Sequence, residues 1–338
     1  MTRAALLALA LGACGAPDAP PSSRAPTPER ATEADTNPEA EAAVDADADA
    51  DAEAGAEAGA GAEAGAEAGA EADAGADAGA DAEADAEAVP CPRVAPDAMA
   101  CVPGGAFVRG SDDGPPNERP AERVFVSTYW LDTHEVDNAR YAECVAAGLC
   151  QRLVPFPGYG APTQPAVGMR WQDADAYCAW RGKRLPTEAE HERAAGGARA
   201  TRFPWGDETP AAPCDHAIVR TRAGRGCGTG VTWPVGSRAP SAWGHHDLAG
   251  NVWEWVADHY AWCYRGCARA CGDACAGRDP RGRCGDAHAP CPEALGHRVV
   301  RGGSWWYAIE SATRTARRGV PGDNPNPHRF GFRCARDL

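Results

Sequence analysis

Fifteen cysteines are the residues of this 338-residue chain best suited to chemistry, and their spacing sorts them into groups. Six crowd together: Cys263, Cys267, Cys271, Cys275, Cys284 and Cys291. The first four recur every fourth residue, which on a helix lays them along one drifting face. Such a run reads either as a metal or cluster site or as a small disulfide subdomain, with fifteen possible connectivities for three bridges. No Cys-x-x-Cys pair occurs, and besides Cys14 the cysteines number fourteen, an even count. That pattern favours disulfides and an oxidising compartment. His245, His246, His259 and His328 do not fall in the spacing of zinc or iron sites. Arg314, Arg317 and Arg318 form a basic cluster suited either to an anionic ligand or to carboxylates of the fold itself.

Cys14 belongs to a different feature. Arg3 precedes an apolar run, Ala4 to Ala13, too short to span a bilayer. It ends in Leu11-Gly12-Ala13-Cys14, which resembles the lipobox of bacterial lipoproteins. The expectation is a signal peptide over 1–14 and an exported protein held by lipid on Cys14. One acyl chain binds membranes marginally, and several anchor well. Gly15, where some inner-membrane lipoproteins carry Asp, points to the outer membrane or cell surface. The membrane is thus expected as a partner through the lipid anchor alone.

Charge divides the chain in two. Residues 1–88 carry 3 basic and 21 acidic side chains, whereas 89–338 carry 30 and 27. No basic run stands out, so nucleic acid is not an expected partner. From Glu29 to Ala88, Ala alternates with Asp or Glu, broken by seven glycines. Alternation spreads charge around every face of a helix and leaves no apolar stripe to bury. Residues 15–90 therefore read as a disordered tether.

The remaining 91–338 suffice for one large domain, with a Cys-rich insertion at about 258–297. Arg123 to Val136 is β-branched and apolar enough for strands. Asp137 is placed to cap a helix running to Ala147, and Asp173 to Trp180 suggests another. Thr187-Glu188-Ala189-Glu190 is a capping box opening a helix to about Ala195. Arg298 to Arg301 and Arg329 to Arg336 read as closing strands.

Several ordered motifs sit on this frame: Gly104-Gly105-Ala106-Phe107-Val108-Arg109-Gly110-Ser111, Gly182-Lys183-Arg184-Leu185-Pro186-Thr187-Glu188-Ala189-Glu190, Phe203-Pro204-Trp205-Gly206, Asp247-Leu248-Ala249-Gly250-Asn251-Val252-Trp253-Glu254-Trp255, Arg301-Gly302-Gly303-Ser304-Trp305 and Gly331-Phe332-Arg333-Cys334. Together they resemble the formylglycine-generating enzyme family, the sulfatase-modifying factors, from about Val102 onward. The resemblance implies an irregular, loop-rich α+β fold similar to C-type lectin-like domains.

It also implies a chemistry. The family's enzymes oxidise a sulfatase cysteine with oxygen and copper(I) held by two cysteines, and soft thiolates select that ion. The positions that match are Tyr307 and Ala312, and no cysteine lies between Cys291 and Cys334. Copper is therefore not expected, and no catalytic residue is assigned. The family binds structural calcium in the loop that here carries the Asp247 and Glu254 carboxylates and the Gly250 and Val252 carbonyls, hard donors that suit Ca²⁺; the other reading pairs Glu254 with an arginine and has Asp247 cap a turn. The resemblance pairs Cys178 with Cys334. Cys144 with Cys150, and Cys214 with Cys227, are close enough in sequence for short staples, and Cys91 with Cys101 would pin the tether. Ser304, Trp305, Trp306 and Tyr307 would line the former active-site cleft, its aromatic rings suited to a sugar or peptide side chain. The resulting expectation is a non-catalytic, surface-exposed module binding a peptide, glycan or envelope protein. The alternative is an oxidase of the same family or another metal-dependent oxidoreductase.

Overall fold

The structure, a computed structural model, describes residues 88–261, 264, 277–281, 297–322 and 328–338. The leader, Cys14, the acidic tether, the six clustered cysteines and the Arg318 side chain lie outside the described residues.

The β-branched and aromatic run expected to form strands gives two, β3 (Glu122–Val126) and β4 (Tyr129–Asp132). Two earlier strands pair with them antiparallel: β1 (Met99–Val102) with β4, and β2 (Gly105–Arg109) with β3. The last strand of the chain, β10 (Ala335–Asp337), takes the other edge of β4. The start and end of the domain thus meet on Leu131, which is buried. A further sheet runs in the order β8 (Arg317–Pro321), β7 (His297–Arg301), β5 (Trp253–His259), β9 (Phe330–Phe332), and a two-residue strand, β6 (Gly277–Arg278), lies parallel to β3.

Three helices are fixed by local chemistry. In α1 (Asn138–Ala146) the Asp137 carboxylate accepts from Arg140 N at 2.8 Å, the expected N-cap. The second, α2 (Trp171–Trp180), starts two residues earlier than expected. Asp173 is its third residue and accepts from Arg170 N at 3.1 Å, so it is the reaching-back partner and not the cap. The third, α3 (Glu188–Gly196), opens on the expected box: Thr187 Oγ1 accepts from Glu190 N at 3.1 Å, and Glu190 Oε2 accepts from Thr187 N at 2.7 Å.

Every residue of α3 is buried, although its sequence, EAEHERAAG, carries three carboxylates, a histidine and an arginine. Charge enters a core only when paired, and here the sheets supply the pairs. Arg301 of β7 donates to Glu192 Oε2 at 2.6 Å and to Glu188 Oε1 at 3.2 Å. Arg317 of β8 donates to both Glu188 oxygens, and Arg314 pairs with Glu192. Of the two readings of the basic cluster, Arg314 and Arg317 therefore follow the one in which carboxylates of the fold hold them. An apolar cluster around Tyr141, Tyr177, Trp255 and Phe332 packs α1 and α2 against β5 and β9.

Among the described residues four disulfides join Cys91 to Cys101, Cys144 to Cys150, Cys178 to Cys334 and Cys214 to Cys227. The Cys178–Cys334 bridge is buried in the aromatic cluster and ties α2 to the chain's end.

Candidate functional site

The segment after β7 turns back on itself. At Gly303 (φ 74°) a Cβ would stand 2.5 Å from Ser311 O and 2.9 Å from Ala312 Cα, so only glycine permits the fold-back. Trp305 N donates to Asn251 O at 2.9 Å and Gly250 N to Gly302 O at 2.8 Å, which stitches this turn to the Asp247–Val252 loop. Gly250 (φ 83°) lies so close to Ile218 that a Cβ would meet its carbonyl at 2.7 Å.

The four residues expected to line a cleft separate into two pairs. Ser304 is 0% exposed and its Oγ has no hydrogen-bond partner among the described residues. Trp305 is 1% exposed; it packs with Tyr159, Val167, Ile218 and Val252, and its indole N–H donates to His328 O at 3.1 Å. Neither side chain presents itself to a ligand, so the expectation is corrected for this pair: they support the turn from beneath. Trp306 and Tyr307 are half-buried, each packed against an apolar cluster. Two cations approach the Trp306 ring, Arg225 at 3.2 Å from the ring centroid and Arg329 at 4.8 Å. A sugar would have to displace a guanidinium to stack there.

The two positions that would hold copper do not fit it. Tyr307 has no soft donor, and Ala312 is 0% exposed in an apolar cluster with Phe203, Val219 and Ile309. All eight cysteines among the described residues are in disulfides. Beside Ala312 opens a cavity of about 700 Å³, lined by Glu310, Thr313 and Arg314 on one side and Asp113, Glu118 and Asp207 among others.

The Asp247–Glu254 loop gathers oxygen donors. Asp247 Oδ2 accepts from Gly236 N at 2.6 Å. Both Glu254 oxygens accept from Arg333 at 2.7 Å, and Glu254 Oε2 lies 3.4 Å from His191 Nε2. Glu135, which no motif marks, joins them: its carboxylate accepts from Asn251 Nδ2 at 2.6 Å and from Val252 N at 3.2 Å. The only sequence signal for it is a carboxylate near the end of the strand-forming run Arg123 to Val136. Burial, reinforced by Asp247 and Glu254, pushes the Glu135 carboxyl well above its ordinary range, and burial pushes Asp247 up. Three buried carboxylates thus surround one guanidinium, Arg333. Hard oxygens are the donor type that Ca²⁺ takes, but Arg333 already holds both oxygens of Glu254, so the residues fit that ion in donor type and not in free charge. Among the described residues no three His, Cys, Asp or Glu side chains gather as a metal cluster. A cation here would depend on the Gly250 and Val252 carbonyls as well.

His245 and His246 are held within the fold. Burial lowers His245 to about 3, and the ring of His246 stacks on His134 at 4.5 Å.

Asp258, at the end of β5, is a buried carboxyl outside this loop. Its Oδ2 accepts from Glu188 N at 2.8 Å, and Oδ1 has no partner among the described residues. Burial, then the nearby Glu188 carboxylate, raise it from 3.8 to about 7. The folded state therefore binds more protons than the unfolded between those values, and stability falls as pH rises through that window. Asp258→Asn keeps an acceptor for Glu188 N and removes the titration. The expected result is a weaker pH dependence of the melting temperature between pH 5 and 8, with the variant gaining on wild type toward pH 8. An unchanged slope would refute the assignment.

Residues 84–338 match the family model of the sulfatase-modifying factor enzyme 1-like domain. The chain belongs to that family. It is 33% identical over 262 residues to the Chlamydia pneumoniae serine/threonine-protein kinase pkn1, covering 71% of this chain and 38% of the kinase. The chain thus spans about two fifths of that relative's length. It is 30% identical over 303 residues to the formylglycine-generating enzyme of Thermomonospora curvata, covering 73% and 95% of the two. Identity is likewise 30% over 307 residues to the inactive C-alpha-formylglycine-generating enzyme 2 of Mus musculus, covering 72% and 89%. Among solved structures, PvdO from Pseudomonas aeruginosa superposes with a TM-score of 0.55 at 28% identity, covering 71% of this chain and 94% of that one. The fold of this member of the family is accordingly the irregular α+β architecture that the motifs implied.

Proposed function

We propose that this member of the sulfatase-modifying factor family is a non-catalytic binding module, exported and held at the cell envelope through lipid on Cys14. The observation that supports it most is the state of sulfur. The copper-pair positions are Tyr307 and Ala312, and each described cysteine is already in a disulfide. A disulfide sulfur is not a thiolate and cannot select Cu(I). The kinship with a relative named inactive agrees with this reading. The ligand face is the half-buried pair Trp306 and Tyr307 with the arginines around them. Calcium bound by Asp247, Glu254 and the Gly250 and Val252 carbonyls would stiffen the loop that carries the turn.

The test is an oxidation assay on a sulfatase-type cysteine peptide, with copper(I) and oxygen supplied and peptide mass as readout. Unchanged peptide mass is the expected result. Conversion to formylglycine, abolished by replacing a particular cysteine of this chain, would overturn the proposal in favour of an oxidase.

A further inference from the structure

Between Cys214 and Cys227 the chain carries Arg220, Arg222 and Arg225 but a single carboxylate, Asp215. Thr221 N donates to Gly224 O and Gly224 N to Thr221 O, both at 3.0 Å, which closes a tight turn with Arg222 and Ala223 at its tip. Arg220 and Arg225 flank the paired residues, one on each arm, so the turn gathers three like charges within six residues. Like charges brought onto facing arms oppose such a turn. Among the described residues none of the three forms an ion pair, whereas Arg301, Arg314, Arg317 and Arg333 of the interior all do.

The hairpin is held in place against that repulsion. The Cys214–Cys227 bridge closes its base, and Cys227 N donates to Val219 O at 2.9 Å across the arms. Two further bonds seat it on the turn after β7, Arg220 N to Tyr307 O at 2.7 Å and Gly226 N to Trp305 O at 2.8 Å. Arg220 and Arg222 are exposed, and the half-buried Arg225 stands over the Trp306 ring at 3.2 Å. A guanidinium is a planar fork of donors that matches a carboxylate bidentately, and one stacked on a ring keeps that fork in its own plane. Donors fixed beforehand lose less freedom when a ligand arrives.

The same observations select the kind of ligand. Because Arg225 already stands over Trp306, a sugar finds no free stacking platform on that side. Among the described residues no exposed large hydrophobic side chain lies in the hairpin, whereas elements that lie on a membrane seat apolar groups among the headgroups. The chain as a whole carries a net charge of −15, so its overall field does not draw in polyanions, and recognition falls to short-range pairing with these three side chains. We infer that the 220–225 hairpin takes an acidic peptide segment of a partner protein, whose carboxylates enter the Arg220 and Arg222 forks and meet Arg225 beside Trp306. The inference rests on the ligand-face reading and names the class of ligand which that face accepts.

The experiment is fluorescence anisotropy of a labelled oligoglutamate peptide titrated with the full chain at low and at physiological salt. The expected result is saturable binding that weakens as salt rises and falls roughly tenfold in Arg220→Gln/Arg222→Gln, as the loss of two exposed charge pairs implies. Arg220→Lys/Arg222→Lys keeps the charge without the fork and should bind with intermediate affinity. All of these positions are exposed, so melting temperatures should not change, and Arg199→Gln, an exposed arginine outside the hairpin, should bind like wild type. Absence of saturable binding, or equal binding by the Gln variant, overturns the inference. Unlabelled sulfated oligosaccharide and phosphatidylglycerol vesicles are then added as competitors. If either displaces the probe at lower concentration than unlabelled peptide, the acidic-peptide assignment falls while a ligand face at the hairpin stands. The oxidation assay does not involve these arginines, so failure of the non-catalytic reading is seen separately.

Discussion

Cys178→Ala/Cys334→Ala is expected to lose about 5 kcal/mol of stability, the chain-entropy value for a loop of this length. The bridge closes 156 residues, and both sulfurs are fully buried among Tyr141, Tyr177 and Phe332. A loss of that size equals the lower end of the stability of ordinary domains, about 5–15 kcal/mol. The variant should therefore be partly unfolded near physiological temperature. Cys144→Ala/Cys150→Ala is the internal control, because its separation is 6 and the same relation gives only about 2 kcal/mol. Denaturant unfolding of the two variants checks the order. Equal losses would mean that loop closure is not what the long bridge contributes. The long bridge also joins α2 to the strand pair that closes the domain, so its loss should raise hydrogen exchange in β10 before β2.

What was legible in the sequence was local. The Thr187–Glu190 box and the Asp137 cap declare themselves within four residues, because a side chain satisfies a nearby backbone N–H whatever the rest of the fold does. Asp173 shows the limit of that logic, since the same carboxylate serves as cap or as reaching-back partner and only the position of Trp171 decides. The strand β8 was hidden because its arginines read as a basic cluster, for an anionic ligand or for carboxylates of the fold, and β5 because its start lies inside a motif that draws attention to chemistry. The ligand face was half legible: Trp305 and Trp306 are adjacent and alike in sequence, yet one is core and the other is half-buried. Nothing in two neighbouring indoles says which will be fully buried and which will meet Arg225.

The burial of α3 was the least legible feature. By composition EAEHERAAG belongs on a surface, and the arginines that hold Glu188 and Glu192 lie more than a hundred residues away, on β7 and around β8. Sequence proximity carries no trace of such pairing. The same holds for Glu135, whose partners Asn251 and Val252 are 116 and 117 residues distant.

The α3 network sets the second large expectation, for Arg301→Met. Arg301 is fully buried and donates to Glu188, Glu192, Thr315 O and Arg314 O. Removing one partner of a buried ion pair costs about 3–5 kcal/mol, because the other charge stays behind without compensation. Arg317 and Arg314 remain, so the loss should fall toward the lower end of that range. Arg301→Lys restores the charge without the forked geometry and should lose less. Arg301→Met/Glu192→Leu removes both charges and should recover part of the loss, since a buried pair replaced by apolar groups is often neutral. Acid discriminates this account from simple loss of packing. Burial alone would raise the Glu188 carboxyl, but Arg317 and then Arg301 outweigh it and hold it below its ordinary 4.5. A depressed carboxyl contributes stability above its unfolded value and loses it as pH falls below that value. The gap between wild type and Arg301→Met should therefore be widest at pH 7 and narrow below pH 4.5, where protonated carboxyls no longer need the cation. Unfolding midpoints at pH 7 and pH 4 read this directly. A gap that stays constant with pH would assign the role of Arg301 to its shape and not to its charge.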